Sequence, residues 1–292
     1  MELICDYMRD EKSRRALNEL TRKTFWFDFE GWVTGGFYEG DYIPYSFIEK
    51  GKIIANVSAN RMTFEQNGVV KNYIQLGTVM TDEAFRGQGL ASWLIKHVVA
   101  RYENECDGIY LFGNLDAAGF YRKLDFKEGC QYSYRVKDEY LSLGKAGAAF
   151  RPVDAADSEM KKRYQDAVRK SAVNSSFEQI NKYGLQLFYT AGMENVFYAE
   201  DIDCFIVAER EGEGLFLKSV ICGRKAGLAD ILKRIGGDIK ACRLGYTPLP
   251  EDMEMCHAER FDGGDDYRFF YRGDELESVE RDRLFFPALS HA

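Results

Sequence analysis

The chain has 292 residues, 46% of them apolar and 29% charged, with only 5 prolines and a mean hydropathy of −0.38. At roughly 100–200 residues per domain this length fits two domains of a soluble globular protein, and the composition excludes disorder for the bulk of the chain. Lys and Arg number 39 against 47 Asp and Glu, a net charge of −8, which disfavours a phosphate-backbone partner and suits a neutral or cationic one.

The 7 cysteines (Cys5, Cys106, Cys130, Cys204, Cys222, Cys242, Cys256) stand singly, with no C-x-x-C pair and 3 histidines in the whole chain. That pattern fits reduced thiols in a cytosol rather than a disulfide framework or a zinc site. Residues Met1 to Asp10 carry charges where a secretory segment would be apolar, and no window approaches the ~18 apolar residues of a membrane span. The expectation is a cytoplasmic protein with no metal, no membrane partner and no nucleic acid.

In chain order, Asp10 to Phe25 places Leu17, Leu20 and Phe25 among charges, an amphipathic helix. Lys52 to Phe64 and Val69 to Thr81 are β-branched runs around the turn Gln66-Asn67-Gly68, which predicts an antiparallel pair. After a break at Asp82 to Gly89, the spacing of Leu90, Leu94, Ile95, Val98, Val99 and Tyr102 predicts a helix up to about Glu105. Gly108 to Gly113 reads as a strand, Leu115 to Leu124 as a helix, and Phe126 to Val136 as a closing strand, so this half is α+β. Leu141 to Ala149 is rich in small residues and reads as a connection, after which Phe150 to Glu159 is read as opening a new charged helix.

The informative stretch is Thr78 to Ile95, where a strand runs into the loop Arg86-Gly87-Gln88-Gly89 and the loop opens a helix. Free N–H groups and the positive dipole end of a helix form an anion site, and glycines let an anion approach the backbone. The loop lacks the G-x-G-x-x-G spacing of dinucleotide folds and the G-K-[ST] ending of a P-loop. Taken alone it could equally be an ordinary tight turn.

Arg86-x-x-Gly89-x-Ala91, followed by Asn114-Leu-Asp-Ala-Ala-Gly-Phe-Tyr121-Arg-Lys-Leu-Asp-Phe126, resembles the two signature motifs of the GNAT superfamily of N-acetyltransferases. The resemblance implies an α+β fold with a mixed, mostly antiparallel sheet flanked by helices, and acetyl-CoA as co-substrate. It also implies site residues. Val79, Met80 and Thr81 would bond the pantetheine arm, and the backbone of Arg86, Gly87, Gln88, Gly89, Leu90 and Ala91, with Ser92, would hold the pyrophosphate. Asn114 would contact pantetheine, or else serve only as a helix N-cap. Tyr121 would protonate the departing thiolate as catalytic acid, a phenol of ordinary pKa near 10 being suited to that, or else pack in the core. The base is unassigned: the position where many members carry a carboxylate is Gln75 here. Asp28, Glu30, Glu39 and Asp41 lie in an aromatic-rich stretch, Phe25 to Phe47, that suits an amine held by cation–π and charge contacts, although packing or a solvated face explains the same residues.

The stretch from Arg86 to Val98 lies over that from Arg224 to Ile235, and Phe126 and Tyr134-Arg135 lie over Phe261 and Tyr271-Arg272 at nearly the same offset. The reading is a duplication, with a GNAT domain over 1–140 and a diverged copy over 149–292. Lys225 replaces a loop glycine and Cys256 stands where Tyr121 stands in the first copy, so the second copy reads as structural or pocket-forming. The expected activity is direct transfer of acetyl from acetyl-CoA to a small-molecule or peptide amine. A non-catalytic acyl-CoA sensor or scaffold is the alternative, and a donor such as succinyl-CoA a further one.

Overall fold

The computed structural model describes residues 1–143, 147–235 and 239–292, so part of the expected small-residue connection, 144–146, lies outside the described residues. The first half runs β1 (Glu2–Cys5), α1 (Glu11–Phe25), α2 (Glu30–Thr34), β2 (Tyr42–Glu49), β3 (Lys52–Gln66), β4 (Val69–Thr81), α3 (Leu90–Tyr102), β5 (Gly108–Gly113), α4 (Ala118–Arg122), β6 (Lys127–Gly129), β7 (Gln131–Val136) and α5 (Asp138–Leu141). The second runs β8 (Arg151–Pro152), α6 (Ser158–Lys170), β9 (Phe177–Gln179), α7 (Tyr183–Thr190), β10 (Val196–Ala199), β11 (Cys204–Glu211), β12 (Gly214–Cys222), α8 (Leu228–Leu232), β13 (Ala241–Leu244), β14 (Cys256–Phe261), β15 (Arg268–Arg272) and α9 (Ser278–Arg281).

Local chemistry sets the boundaries. The Asp10 carboxylate accepts from the Ser13 N–H at 2.8 Å and caps α1, while Trp26 ends it in the left-handed region at φ 60°. Arg14 is buried on α1, which is tolerated because its guanidinium donates to both Glu30 oxygens (3.1 and 2.8 Å) and to the Met8 carbonyl (2.9 Å), so α2 is fastened to α1. Asn67 and Gly68 both have positive φ, as a two-residue hairpin turn between right-twisted strands requires.

Two mixed sheets result. The first has eight strands in the order β1-β2-β3-β4-β5-β15-β6, with β9 added beside β3; the second has seven in the order β14-β7-β13-β12-β11-β10-β8. In each, one parallel pair, β4 with β5 and β12 with β13, is joined through a helix, α3 or α8. Sheet membership does not follow the two halves of the chain. β15, from the second half, lies between β5 and β6, while β7, from the first, lies between β13 and β14. The stretch Phe126 to Val136 is therefore not one strand: it divides at Cys130, and its two parts enter different sheets.

Two further boundaries differ from the sequence reading. After Phe150 the chain first forms β8 against β10, and the helix begins only at Ser158, because Asp157 takes the N-cap role and accepts from the Glu159 and Met160 N–H groups. Leu115 to Ala117 is a 3₁₀ turn preceding a short α4.

The apolar face of α3 (Leu90, Leu94, Ile95, Val98, Val99, Tyr102) is buried on the first sheet against Val57, Ile74, Leu76, Ile109 and Leu111. Each such side chain stabilises the fold by about 1.5–3 kcal/mol, so this contact fixes where the helix N-terminus points. A second core joins the two halves: Phe64 stacks on Phe177 and Tyr110 on Phe286, both with centroids 4.5 Å apart.

Candidate active site

β4 and β5 pair in parallel where Tyr73–Gln75 face Gly108–Tyr110; beyond that the strands separate and the β5-facing edge of β4 has no partner strand among the described residues. A bulge interrupts the β3–β4 ladder at this point, and Thr78 sits at φ +41°, a costly conformation for a β-branched residue. Hydrogen bonds hold it there. The Tyr42 hydroxyl lies 2.7 Å from Thr78 Oγ1, and Asn56 Nδ2 donates to the Thr78 carbonyl (2.9 Å) and Oγ1 (3.0 Å). Asn56 Oδ1 in turn accepts from Ser46 Oγ at 2.7 Å, and Tyr7 closes the buried network. The split between β4 and β5 is thus a fixed feature of the fold.

At the end of β4 the loop turns on Gly87 and Gly89, both left-handed (φ 77° and 78°), with nothing within 4 Å of where a side chain would start. The backbone N–H groups of Gly87 through Ser92 make no hydrogen bond among the described residues, and they surround the N-terminus of the 13-residue α3. Free donors at a positive dipole end fit a pyrophosphate. The Arg86 side chain is turned away from that space, its Nε reaching the Thr81 carbonyl at 3.4 Å and its Nη1 the Glu83 carboxylate at 3.6 Å.

Beside the split strands lies a cavity of about 740 Å³. Val79, Asn114 and Tyr121 line it with Gln75, Gly77 and Thr78, whereas Met80, Thr81 and residues 86–92 lie outside its wall. Asn114 is the N-cap of the turn before α4, its Oδ1 accepting from the Ala117 N–H at 2.9 Å, while its residue also borders the cavity. The Tyr121 ring packs on Phe120, Phe126 and Phe270, and burial pushes its phenol up to about 12. Its hydroxyl bonds to no described group. Core packing and a free hydroxyl coexist in this one residue.

The four acidic candidates separate by geometry. Asp28 is held by Arg22 and Glu30 by Arg14. Glu39 and Asp41 line the cavity, but Glu39 is paired with Arg169 at 2.7 Å. Asp41 has no ion pair within 4 Å among the described residues; Asn181 Nδ2 donates to it at 3.2 Å, and burial pushes its carboxyl up from the usual range. Gln75 is fully buried and accepts from the Ala292 N–H at 3.1 Å. Ala292 also lies so close to Gly77 that a Cβ there would stand 2.5 Å from its carbonyl oxygen.

Much of the cavity wall was missed by sequence reasoning. Asn181, Phe188 and Tyr189 come from the β9–α7 region, Asp266 and Tyr267 from the β14–β15 connection, and His291 and Ala292 from beyond α9. Trp32, one of the aromatics singled out, donates its indole N–H to the Gly184 carbonyl at 2.7 Å, which ties the two halves together at the cavity. No sequence spacing links these positions; only the fold brings them to one place.

The family described as Acetyltransferase (GNAT) family matches residues 2–126. Residues 2–126 belong to the GNAT acetyltransferase family. Acyl transfer is the chemistry of that family, and the structure displays the GNAT fold, with split strands and a glycine loop whose N–H groups are unbonded among the described residues. Solved structures resemble nearly the whole chain. A conserved protein of unknown function from Enterococcus faecalis, described as a probable N-acyltransferase, is 15% identical with a TM-score of 0.56 over 95% of this chain and 74% of its own. A GCN5-related N-acetyltransferase from Kribbella flavida is 17% identical with a TM-score of 0.56 over 93% and 72%. Eis1 from Mycobacterium abscessus is 12% identical with a TM-score of 0.55 over 92% and 73%. At such identities the likeness is one of fold. No curated protein matches the sequence.

The loop before α8 lacks the free donors of the loop before α3. Leu228 N–H donates to both oxygens of Asp252 at 3.1 Å, and Ala226 N–H donates to Asn174 Oδ1 at 2.9 Å. Gly227 has φ −64°, so the left-handed turn of the first loop is absent as well. A buried carboxylate occupies the place where an anion would dock. Among the described residues no group of three or more His, Cys, Asp or Glu is placed to hold a metal ion, and no helix is long and apolar enough to cross a membrane.

Proposed function

We propose that the chain is an acetyl-CoA-dependent N-acetyltransferase that transfers acetyl directly to an amine of a small molecule or peptide, with a preference for cationic acceptors. The observation that carries this reading is the combination of three features: N–H donors at Gly87–Ser92 and a β4 edge that are both unpaired among the described residues, and a cavity lined by Val79 and by Tyr121, whose hydroxyl bonds to no described group. Backbone donors of residues 87–91 and the Ser92 hydroxyl hold the pyrophosphate; Arg86, expected to join them, instead gives its N–H to the Glu83 carbonyl at 3.3 Å. The edge at Val79 to Thr81 bonds the pantetheine and polarises the thioester carbonyl. The Tyr121 hydroxyl, neutral at any physiological pH, supplies the proton that the leaving thiolate takes up. Asp41, with the aromatic rings of Phe29, Trp32 and Phe188 nearby, attracts an ammonium group.

The same topology supports a tandem arrangement in which two GNAT-like units, 1–140 and 149–292, have exchanged one strand each, β7 for β15. The second unit then contributes pocket walls rather than a second acyl-CoA site.

The test is calorimetric titration of the protein with acetyl-CoA beside Gly89→Glu, followed by thiol release in the presence of polyamine, aminoglycoside and amino-acid acceptors. Binding by the wild type, its loss in a folded Gly89→Glu variant and amine-dependent thiol release are expected. Binding without release from any amine favours a non-catalytic acyl-CoA sensor. No binding by the wild type overturns the reading.

A further inference from the structure

His291 lines the cavity together with Tyr121, Thr78 and Val79. Its ring lies flat on Phe112, with centroids 4.1 Å apart and 9° between planes, and Tyr267 flanks it at 5.7 Å. Phe112 is the neighbour of Gly113, against whose backbone the Tyr121 ring packs so closely that a Cβ would stand 2.7 Å from it. The imidazole and the phenol therefore rest on consecutive residues of β5, on opposite faces of the strand, and both residues border the cavity beside the split between β4 and β5.

The main chain on either side of the ring is fastened. The Tyr189 hydroxyl donates to the His291 carbonyl at 2.5 Å, and the next N–H, that of Ala292, donates to Gln75 Oε1 at 3.1 Å. The ring is thus aimed by α7 and β4 together. Yet its Nε2 is buried with no hydrogen-bond partner, and neither ring nitrogen bonds to a described group. An orphaned buried polar atom in a well-packed site calls for an explanation, and a ligand that completes it is one. The ionisable groups on the neighbouring cavity wall are Asp266, Tyr267, Tyr189 and Tyr121. Burial pushes the imidazole down to about 4, so across the physiological range the ring is neutral and one nitrogen carries a lone pair.

We propose that His291 is a catalytic residue of the acceptor subsite, its unprotonated ring nitrogen accepting a hydrogen bond from the acceptor amine and orienting that amine toward Tyr121 and the open edge of β4. This rests on the acyl-transfer reading above. A ring so weakly basic orients the amine and does not store its proton. As the C–N bond forms and the C–S bond breaks, the amine proton passes to water, while Tyr121 gives its proton to sulfur and regains one from solvent.

The experiment uses 2-phenylethylamine as the amine probe. In protein labelled with ¹⁵N-histidine, the probe is expected to shift the His291 ring nitrogens, assigned by their loss in His291→Gln, and to leave those of His97 and His257 in place. With acetyl-CoA, His291→Ala is expected to turn over the probe about tenfold or more slowly, as losing one hydrogen bond predicts, with acetyl-CoA affinity unchanged. Added imidazole should restore turnover. Pyrrole, which fills the same hole but has no ring lone pair to offer, should not. Equal rescue by pyrrole, or no shift at His291 with the probe, overturns the proposal. Failure of the wild type to bind acetyl-CoA overturns the acyl-transfer reading instead, and the ring-nitrogen shift then decides His291 alone.

Discussion

The Tyr121 ring is held by Phe120, Phe126 and Phe270, so the side chain is fixed in place on the cavity wall. Because burial pushes the phenol up to about 12, the acid form persists throughout an ordinary assay range. Replacing it by Phe keeps the packing and removes only the proton. Tyr121→Phe is therefore expected to lower kcat by about a hundredfold, the scale of a lost general acid, with the acetyl-CoA dissociation constant and the melting temperature nearly unchanged. Steady-state kinetics and calorimetry on the same preparation check this, and an unaltered kcat removes Tyr121 from the chemistry. Tyr121 was legible in the sequence because it belongs to a motif of fixed spacing. His291 was not: an isolated histidine has no pattern, and its stacking on Phe112, far away in the chain, exists only in the fold.

The two strand–loop–helix elements show how similar sequences reach opposite electrostatic outcomes. Arg86-x-x-Gly89-x-Ala91 and Arg224-x-x-Gly227-x-Ala229 share a pattern, and the pattern located both helices. What it could not show is that Asp252, from a distant turn, would cap the second helix, since hydrogen-bond partners across the fold leave no local trace. Asp252→Ala leaves the Leu228 N–H buried and unpaired, an expected cost of about 1–3 kcal/mol. Thermal unfolding should shift down by several degrees, while acetyl-CoA binding at the first loop is untouched. A weakened acetyl-CoA affinity in this variant would mean that the second loop takes part in binding after all. The first helix of the second half was misplaced for a related reason: Pro152 and Asp157 were read as part of an amphipathic run, but one entered a strand and the other capped the helix behind it.

At the scale of the molecule, a repeated pattern was visible in the sequence, but the placing of β7 in the second sheet and β15 in the first was not, because strand order within a sheet is set by long-range packing rather than by residue periodicity. The aromatic surplus, 18 Tyr and 21 Phe, was visible too, and the structure gives it a place in several of the buried cores. That surplus has a consequence for stability. Tyr38, Tyr121, Tyr134 and Tyr164 are all buried, and burial pushes each phenol up to about 12 from its ordinary value near 10. Between those limits the unfolded chain has released phenolic protons that the folded protein retains, so the folded state binds more protons and stability falls as pH rises. The stabilisation is complete below pH 10 and is lost progressively toward pH 12, each group contributing up to about 1.4 kcal/mol per pH unit. Urea midpoints measured from pH 8 to pH 11 should stay level up to about pH 9.5 and then drop steeply. A midpoint level across the whole range would show that these phenols ionise as readily in the folded protein as in the unfolded chain, and that the tyrosine-rich cores admit water.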